Sequence, residues 1–337
     1  MTHPLTDLLA TQGWVLADGA TGTNFFAAGL EAGEAPEMWN VDAENKVRAL
    51  YAGAVDAGAD LFLTNSFGGN AARLKLHGAE ARAAELSRIS AEIARDVADR
   101  AGRPVIVAGA MGPTGEILEP VGTLSQADAA DIFEEQARGL LAGGADILWV
   151  ETLSATEELA AAAQAIARIG APWCATMSFD TAGRTMMGVT PQELVAQTTA
   201  FIHPPLAVGA NCGVGASDLL RSVLSMAGAP LPVIAKGNAG IPKYVHGHIH
   251  YDGTPALMAD YAALARDCGA AIIGGCCGTT PEHLRHMRRA LEIRPRRRAP
   301  DPAEIAAALG PFSSETDGTG ADPTAKRPRT RRRRRAA

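Results

Sequence analysis

Two adjacent cysteines, Cys276 and Cys277, sit between Gly274-Gly275 and Gly278 at the end of a short apolar run. A third, Cys212, ends another such run in Gly209-Ala210-Asn211-Cys212-Gly213. Three thiolates with one open position is the ligand count of a zinc that works on a substrate, whereas a structural zinc closes on four protein groups. Neighbouring strand residues point to opposite faces. Cys276 and Cys277 therefore reach one ion only if the chain turns out of strand geometry, which Gly274, Gly275 and Gly278 permit. Two carboxylates belong to the same picture: Asp18 and Glu151 each follow an apolar run. Either alone reads as a loop hydrogen-bonder, but together beside a metal they would hold an ammonium group. Cys174 and Cys268 read as core thiols. His246, His248 and His250 alternate in a segment that reads as an exposed hairpin or loop, because no cysteine or carboxylate accompanies them at a ligand spacing.

The elements that must position these groups repeat along the chain. Short apolar runs occur at Val15 to Ala17, Leu61 to Thr64, Val105 to Ala108, Ile147 to Val150, Cys174 to Ser178, Ala207 to Ala210, Val233 to Lys236 and Ala271 to Gly274. Most lack polar alternation, as parallel strands covered on both faces do. Between them lie Ala, Leu, Glu and Arg-rich segments of helical spacing, among them Ala79 to Ala101, Gln126 to Ala142, Ala155 to Ile169 and Pro255 to Cys268. Strand and helix alternating eight times predict an α/β fold of the (β/α)8 TIM-barrel type, with a doubly wound open sheet as the competitor. Gly58-Ala59-Asp60, Gly144-Ala145-Asp146 and Gly269-Ala270-Ala271 each precede a strand, which fits a glycine that ends a helix before a tight turn. Barrel enzymes place their chemistry at the C-terminal ends of the strands. There the chain reads Asp18-Gly19-Ala20-Thr21, Asn65-Ser66-Phe67, Glu151-Thr152, Asn211-Cys212, Gly237-Asn238 and the cysteine pair. Thiols far apart in sequence thus converge on one rim.

With 337 residues, 47% of them apolar, the chain is long enough for one large core. No run approaches the roughly 18 apolar residues of a membrane helix, and Met1 to Asp7 lacks a basic stretch followed by an apolar one. Reduced thiols in a cytoplasm are the expectation. Charge is unevenly placed. From Arg294 onward lie 12 of the 31 Lys and Arg but only 5 of the 37 Asp and Glu, leaving a tail net positive by 7 and a body net negative by 13. The expected organisation is a barrel over residues 1–294 and a low-complexity Arg-rich tail over 295–337, ending in Arg331 to Arg335 and dispensable for catalysis. A solvated tail is the expected state, and contact with RNA or another polyanion is the competing one.

A nucleotide site is excluded: Gly19-Ala20-Thr21-Gly22 has neither the Rossmann spacing nor a Gly-Lys-Ser/Thr phosphate loop. Instead, Asp18-Gly19-Ala20-Thr21-Gly22-Thr23, Thr64-Asn65-Ser66-Phe67, Gly112-Pro113-Thr114-Gly115, Glu151-Thr152, Gly209-Ala210-Asn211-Cys212-Gly213 and Gly274-Gly275-Cys276-Cys277-Gly278 together resemble the homocysteine S-methyltransferase family. Within it the chain is similar to the free-standing bacterial betaine–homocysteine S-methyltransferases, through Gly33 to Asn40 and Asp180 to Gly188. The resemblance implies a zinc-dependent (β/α)8 barrel that methylates the sulfur of homocysteine to give methionine. It implies Cys212, Cys276 and Cys277 as zinc ligands and Asp18 with Glu151 as the pair that binds the homocysteine amino group. It further implies that Gly19 offers its N–H to the substrate carboxylate, that Thr64 adds a hydroxyl, and that Trp39 lies in the aromatic region used for the donor, where it would stack a quaternary ammonium. The animal betaine enzymes carry a tyrosine after the strand 2 motif; this chain has Gly68. Betaine is the expected donor, with S-methylmethionine or dimethylsulfoniopropionate as alternatives. No nicotinamide, flavin or pyridoxal is called for, no membrane or nucleic-acid partner is expected, and a homo-oligomer is allowed. The reading from another class is a structural-zinc protein that uses its arginine tail on nucleic acid.

Overall fold

Every one of the eight apolar runs forms a parallel strand. The structure is a computed structural model that describes residues 3–245 and 248–315. Its first seven strands are β1 (Val15–Leu16), β2 (Leu61–Leu63), β3 (Ile106–Met111), β4 (Ile147–Leu153), β5 (Trp173–Met177), β6 (Ala207–Cys212) and β7 (Val233–Gly237). A small antiparallel hairpin follows, β8 (Pro242–Val245) with β9 (His248–Tyr251), and then the last barrel strand, β10 (Ala270–Gly275). The hydrogen-bonded order is β1-β10-β7-β6-β5-β4-β3-β2, and a parallel bridge from Ala17 to Leu61 joins its two ends. The sheet is therefore a closed (β/α)8 barrel, with no edge left for another strand.

Alternation along each strand divides the core in two. Inward residues such as Val15, Leu61, Ile106, Ile147, Trp149 and Ile234 form a cluster on the barrel axis. Outward residues meet the eight main helices, Glu44–Asp56, Ala83–Asp99, Gln126–Ala142, Thr156–Ile169, Pro191–Ala200, Ala216–Leu224, Pro255–Asp267 and Pro281–Ile293. Ala83–Asp99 shows why these segments are helical: Leu86, Ser90, Ile93, Ala94 and Val97 recur at helical spacing and are its buried face. Thr190 and Glu193 form a capping box at the start of Pro191–Ala200. At the N-terminal end of the barrel, Leu5 of the helix Pro4–Gln12 joins the inner cluster and closes it.

The glycines of the Gly-Ala-Asp phrases do end their helices, Gly58, Gly144 and Gly269 taking φ of 98°, 95° and 104°. Their aspartates then serve the sheet: Asp60 Oδ2 accepts from Leu16 N–H at 3.0 Å and Asp146 Oδ2 from Val107 N–H at 2.8 Å.

Past residue 294, where the tail was expected to begin, the described chain carries one more helix. Helix Pro302–Leu309 buries Ile305 and Leu309, spaced i and i+4, against the core. Beyond it the chain is tied to helix Ala216–Leu224. Ser217 Oγ donates to Gly310 O (2.7 Å), Ser313 N–H to Asp218 Oδ2 (3.0 Å), and Arg221 Nη1 to Ser314 O (2.8 Å) under the Phe312 ring. A short Ala-rich piece reads as low complexity, but two apolar residues on one stripe are enough to seat it. The five terminal arginines lie outside the described residues. Among the described residues no helix is long and apolar enough to cross a membrane.

Candidate metal centre and amino-acid subsite

Cys212 is the last residue of β6, and Cys276 and Cys277 follow β10, so β6 and β10 flank β7 and bring the three thiols to one rim. Their sulfurs all lie within 4.8 Å of one another, and Cys212 Sγ is 3.9 Å from Cys277 Sγ. Zinc with tetrahedral bonds of about 2.3 Å sets its sulfurs about 3.8 Å apart. The trio fits that ion, and all three cysteines are free thiols. Among the described residues no fourth His, Cys, Asp or Glu joins the group.

The turns that converge these thiols differ from the expectation in detail. Gly274 and Gly275 stay in the strand, where a Cβ on Gly275 would meet Thr279 Oγ1 at 2.4 Å; they supply room for a close approach. Gly278 alone of the three turns the chain, at φ 78°, and a Cβ there would also lie 2.4 Å from Tyr251 Cβ. Cys212 itself adopts φ 60°, the left-handed region that side chains rarely enter. Asn238, just after β7, ties the two thiol turns together. Its Oδ1 accepts from Cys277 N–H (3.0 Å), while its Nδ2 donates to Gly213 O (2.7 Å) and approaches Cys212 Sγ (3.7 Å). Without a metal, hydrogen bonds from Cys276 and Cys277 hold the Cys212 thiol well below its ordinary value, and the bond with Cys212 pushes Cys277 up to about 11.

Asp18 and Glu151 come to the same mouth, and between them stands a residue to which sequence reasoning gave no role. Lys236, on β7, is 2% exposed, and its Nζ is in direct contact with Asp18 Oδ1. Asp18 Oδ2 accepts from Leu63 N–H at 2.8 Å, so both of its oxygens are engaged. Burial raises the Asp18 carboxyl against the pull of Lys236. For Lys236 burial acts to lower the pKa, yet Asp18 and Glu151 outweigh it and the ammonium is raised. Glu151 is 8% exposed and has no hydrogen-bond partner among the described residues. Burial pushes it up to about 7, with Asp18 and Cys212 adding to the rise and Lys236 opposing it. A lone lysine closing the otherwise apolar run Val233-Ile234-Ala235 was the available signal.

Glu151 is anchored through its neighbour. Thr152 takes φ 62°, a strained value for a β-branched residue, and the Asn211 side chain grips it twice. Oδ1 accepts from Thr152 N–H (3.0 Å) and Nδ2 donates to Thr152 Oγ1 (2.7 Å). The residue before Cys212 thus clamps the residue after Glu151.

The remaining expected site residues are placed as follows. Gly19 lies against the cysteine turn, where a Cβ would meet Thr279 Oγ1 at 2.7 Å. Thr64 is buried in a closed network: it accepts from Ala110 N–H (2.9 Å) and pairs with Ser66 Oγ (2.6 Å), which donates to Ala110 O (2.8 Å). Both hydroxyls are thus already engaged within the barrel wall. Trp39 packs in the outer core, 5.2 Å from the Phe25 ring, with Lys46 Nζ 4.2 Å above its own ring. That face is taken by a lysine rather than offered to an onium ligand. Gly68 donates its N–H to Glu37 Oε1 at 2.6 Å. Of the three histidines, His246 lies outside the described residues, and His250 is exposed on β9 of the expected hairpin.

The family model described as homocysteine S-methyltransferase matches residues 15–291, a span that holds every residue of this rim. The chain belongs to the homocysteine S-methyltransferase family. It is 33% identical over 308 residues to a methionine synthase of Mycobacterium tuberculosis and 32% identical over 310 residues to that of Mycobacterium leprae. In both cases 85% of this chain is covered but only 25% of the relative, so the chain spans about a quarter of their length. Among solved structures, the oxidized form of the homocysteine methyltransferase MmuM from Escherichia coli superposes with a TM-score of 0.71 at 26% identity, covering 86% of this chain and 99% of that one. The metallated form of MmuM gives 0.72 at 24% identity, with 85% and 99% covered. The homocysteine S-methyltransferase match ends at residue 291, so helix Pro302–Leu309 lies beyond it.

Proposed function

We propose that the chain is a zinc-dependent methyltransferase that moves a methyl group from a small onium compound to the sulfur of homocysteine, with glycine betaine as the donor. Methionine and dimethylglycine are then the products. The observation that carries this reading is the sulfur trio, spaced for a tetrahedral zinc by three protein ligands and set at the mouth of a barrel of this family. Bound there, zinc would supply the positive centre that keeps an alkyl thiol deprotonated at neutral pH.

The chain's own residues do the rest. Asn238 and Gly278 hold the thiol turns, so that the substrate sulfur is delivered to one place. Glu151, without a partner of its own, takes the ammonium end of the amino acid, and the backbone N–H of Gly19 takes its carboxylate. The homocysteine sulfur attacks the methyl carbon in line with the departing nitrogen. One S–C bond forms, one C–N bond breaks, and the electron pair stays on nitrogen, while the thiol proton has already left to solvent. Alignment of the two reactants is the protein's main contribution. Three thiolates on a divalent ion leave a net negative charge, which suits a cationic donor.

Support for betaine is the similarity of Gly33 to Asn40 and Asp180 to Gly188 to the bacterial betaine enzymes. The structural-zinc alternative calls for a fourth protein ligand, and none joins the trio among the described residues. Zinc-loaded protein incubated with homocysteine and, separately, betaine, S-methylmethionine or dimethylsulfoniopropionate, with mass detection of methionine, is the test. Formation of methionine from betaine at least tenfold faster than from the others is expected. Faster turnover of a sulfonium donor would move the donor assignment, and no methionine from any onium donor would sink the reading.

A further inference from the structure

The hairpin of β8 and β9 follows β7 and precedes helix Pro255–Asp267, and its base is tied to the cysteine turn. Ala239 N–H donates to Cys277 O (2.9 Å), Gly253 N–H to Ala239 O (2.8 Å), and His283 Nε2 to Gly253 O (2.8 Å). Tyr251 is the last residue of β9 and pairs with Pro242. Its neighbour His250 is exposed, and strand alternation turns Tyr251 the other way, where it is half-buried. The ring lies on Gly278: a Cβ there would meet Tyr251 Cγ at 2.4 Å and Cδ2 at 2.9 Å. Any larger residue at 278 would displace it. At the far end of the ring the hydroxyl hydrogen-bonds the Cys277 sulfur. A thiolate only accepts, so the phenol is the donor.

We propose that Tyr251 is a positioning residue of the metal centre: its hydroxyl donates to the Cys277 thiolate, draws charge from that one sulfur, and so leaves the ion electrophilic enough to accept the substrate's thiolate. Acceptance of that thiolate rests on the homocysteine reading of the site, whereas the bond to Cys277 rests on the metal reading of the trio alone. Its physical sense lies in the charge balance. Three thiolates already exceed the charge of a divalent ion, and a fourth from the substrate adds to an excess that a half-buried rim solvates poorly. A hydrogen bond to a charged acceptor is roughly twice as strong as a neutral one, so a phenol aimed at one sulfur offsets part of that excess. The Asn238 amide approaches Cys212 in the same sense, but its closer bond is to Gly213 O. Cys277 is therefore the thiolate with a donor of its own.

The test replaces zinc by cobalt(II), whose sulfur-to-metal charge-transfer band reports the electron density on the thiolates, and compares wild type with Tyr251→Phe. That variant keeps the ring on Gly278 and removes only the hydroxyl. Without its donor the sulfur gives up an electron more easily, so the band of the variant is expected at longer wavelength. Zinc affinity, read by chelator competition, should fall about tenfold, and the affinity of the cobalt form for homocysteine about threefold or more, on the scale of a lost outer partner.

A band that does not move overturns the hydrogen bond, whatever the zinc affinity does, and leaves Tyr251 as a ring that packs on Gly278. A band that moves while homocysteine binds as tightly as before overturns the part given to charge. Failure of the underlying readings shows in wild type instead. A cobalt spectrum that ignores homocysteine would sink the homocysteine reading, and protein that takes up no cobalt would sink the metal reading and this proposal with it.

Discussion

The three thiols differ in how they are held, and their substitutions should nonetheless agree. Cys212→Ala, Cys276→Ala and Cys277→Ala each leave two sulfurs, too few for a zinc of this type, while removing little buried volume. Each variant is expected to lose most of its zinc and all detectable methyl transfer, with the circular dichroism spectrum retained. A variant with near wild-type zinc by elemental analysis would remove that cysteine from the ligand set. Glu151 carries a different cost. Its folded pKa, about 7, lies above the ordinary value of 4.5. A group raised in this way binds its proton more tightly in the folded state, so stability falls as pH climbs from about 4.5 and levels off above about 7. The penalty is on the order of 3 kcal/mol for such a shift. Glu151→Gln should therefore raise the melting temperature of the zinc-free protein progressively between pH 5 and 8, with little difference at pH 4.5. A constant difference across that range would show that Glu151 is not the group that titrates. The acids and thiols were legible in the sequence because each follows an apolar run at a strand end. Lys236 was not, because a lysine in an apolar run reads as the end of a strand, and only the closed barrel shows that it points inward at Asp18.

At the scale of the elements, the eight strands stand within a few residues of the runs that foretold them, since burial on both faces leaves an unbroken apolar signature. What the sequence could not show is the bonding across strand ends. Asn211 and Asn238 read as polar rim residues, yet one clamps Thr152 and the other joins the turns of Cys212 and Cys277. Those bonds link residues on different strands, so no local spacing carries them. The contact of Trp39 is of the same kind: Lys46, on another helix, lies over its ring. Outer partners of this kind typically change metal affinity by about 10 to 100-fold. Asn238→Ala is accordingly expected to weaken zinc binding by about that factor, read in competition with a chromophoric chelator, while the barrel stays folded. Unaltered affinity would mean that the thiol turns hold their shape without it.

For the whole molecule, the open question is how much of the basic C-terminal segment belongs to the working structure. Ile305 and Leu309 are buried, and burying each stabilises the fold by about 1.5–3 kcal/mol as an upper estimate. Removing them also strips the buried Asp218–Arg221 pair of its contacts with Ser313 and Ser314. That pair lies on helix Ala216–Leu224, which begins four residues after Cys212, so the loss reaches the metal rim through a single short turn. Two truncations separate the docked part from the remainder. Ending the chain at residue 315 should leave zinc content, melting temperature and kcat/KM unchanged and reduce only salt-sensitive binding to polyanions. Ending it at residue 294 should lower the melting temperature by several degrees and loosen zinc. Equal behaviour of the two truncated proteins would show that helix Pro302–Leu309 rests on the barrel without supporting it.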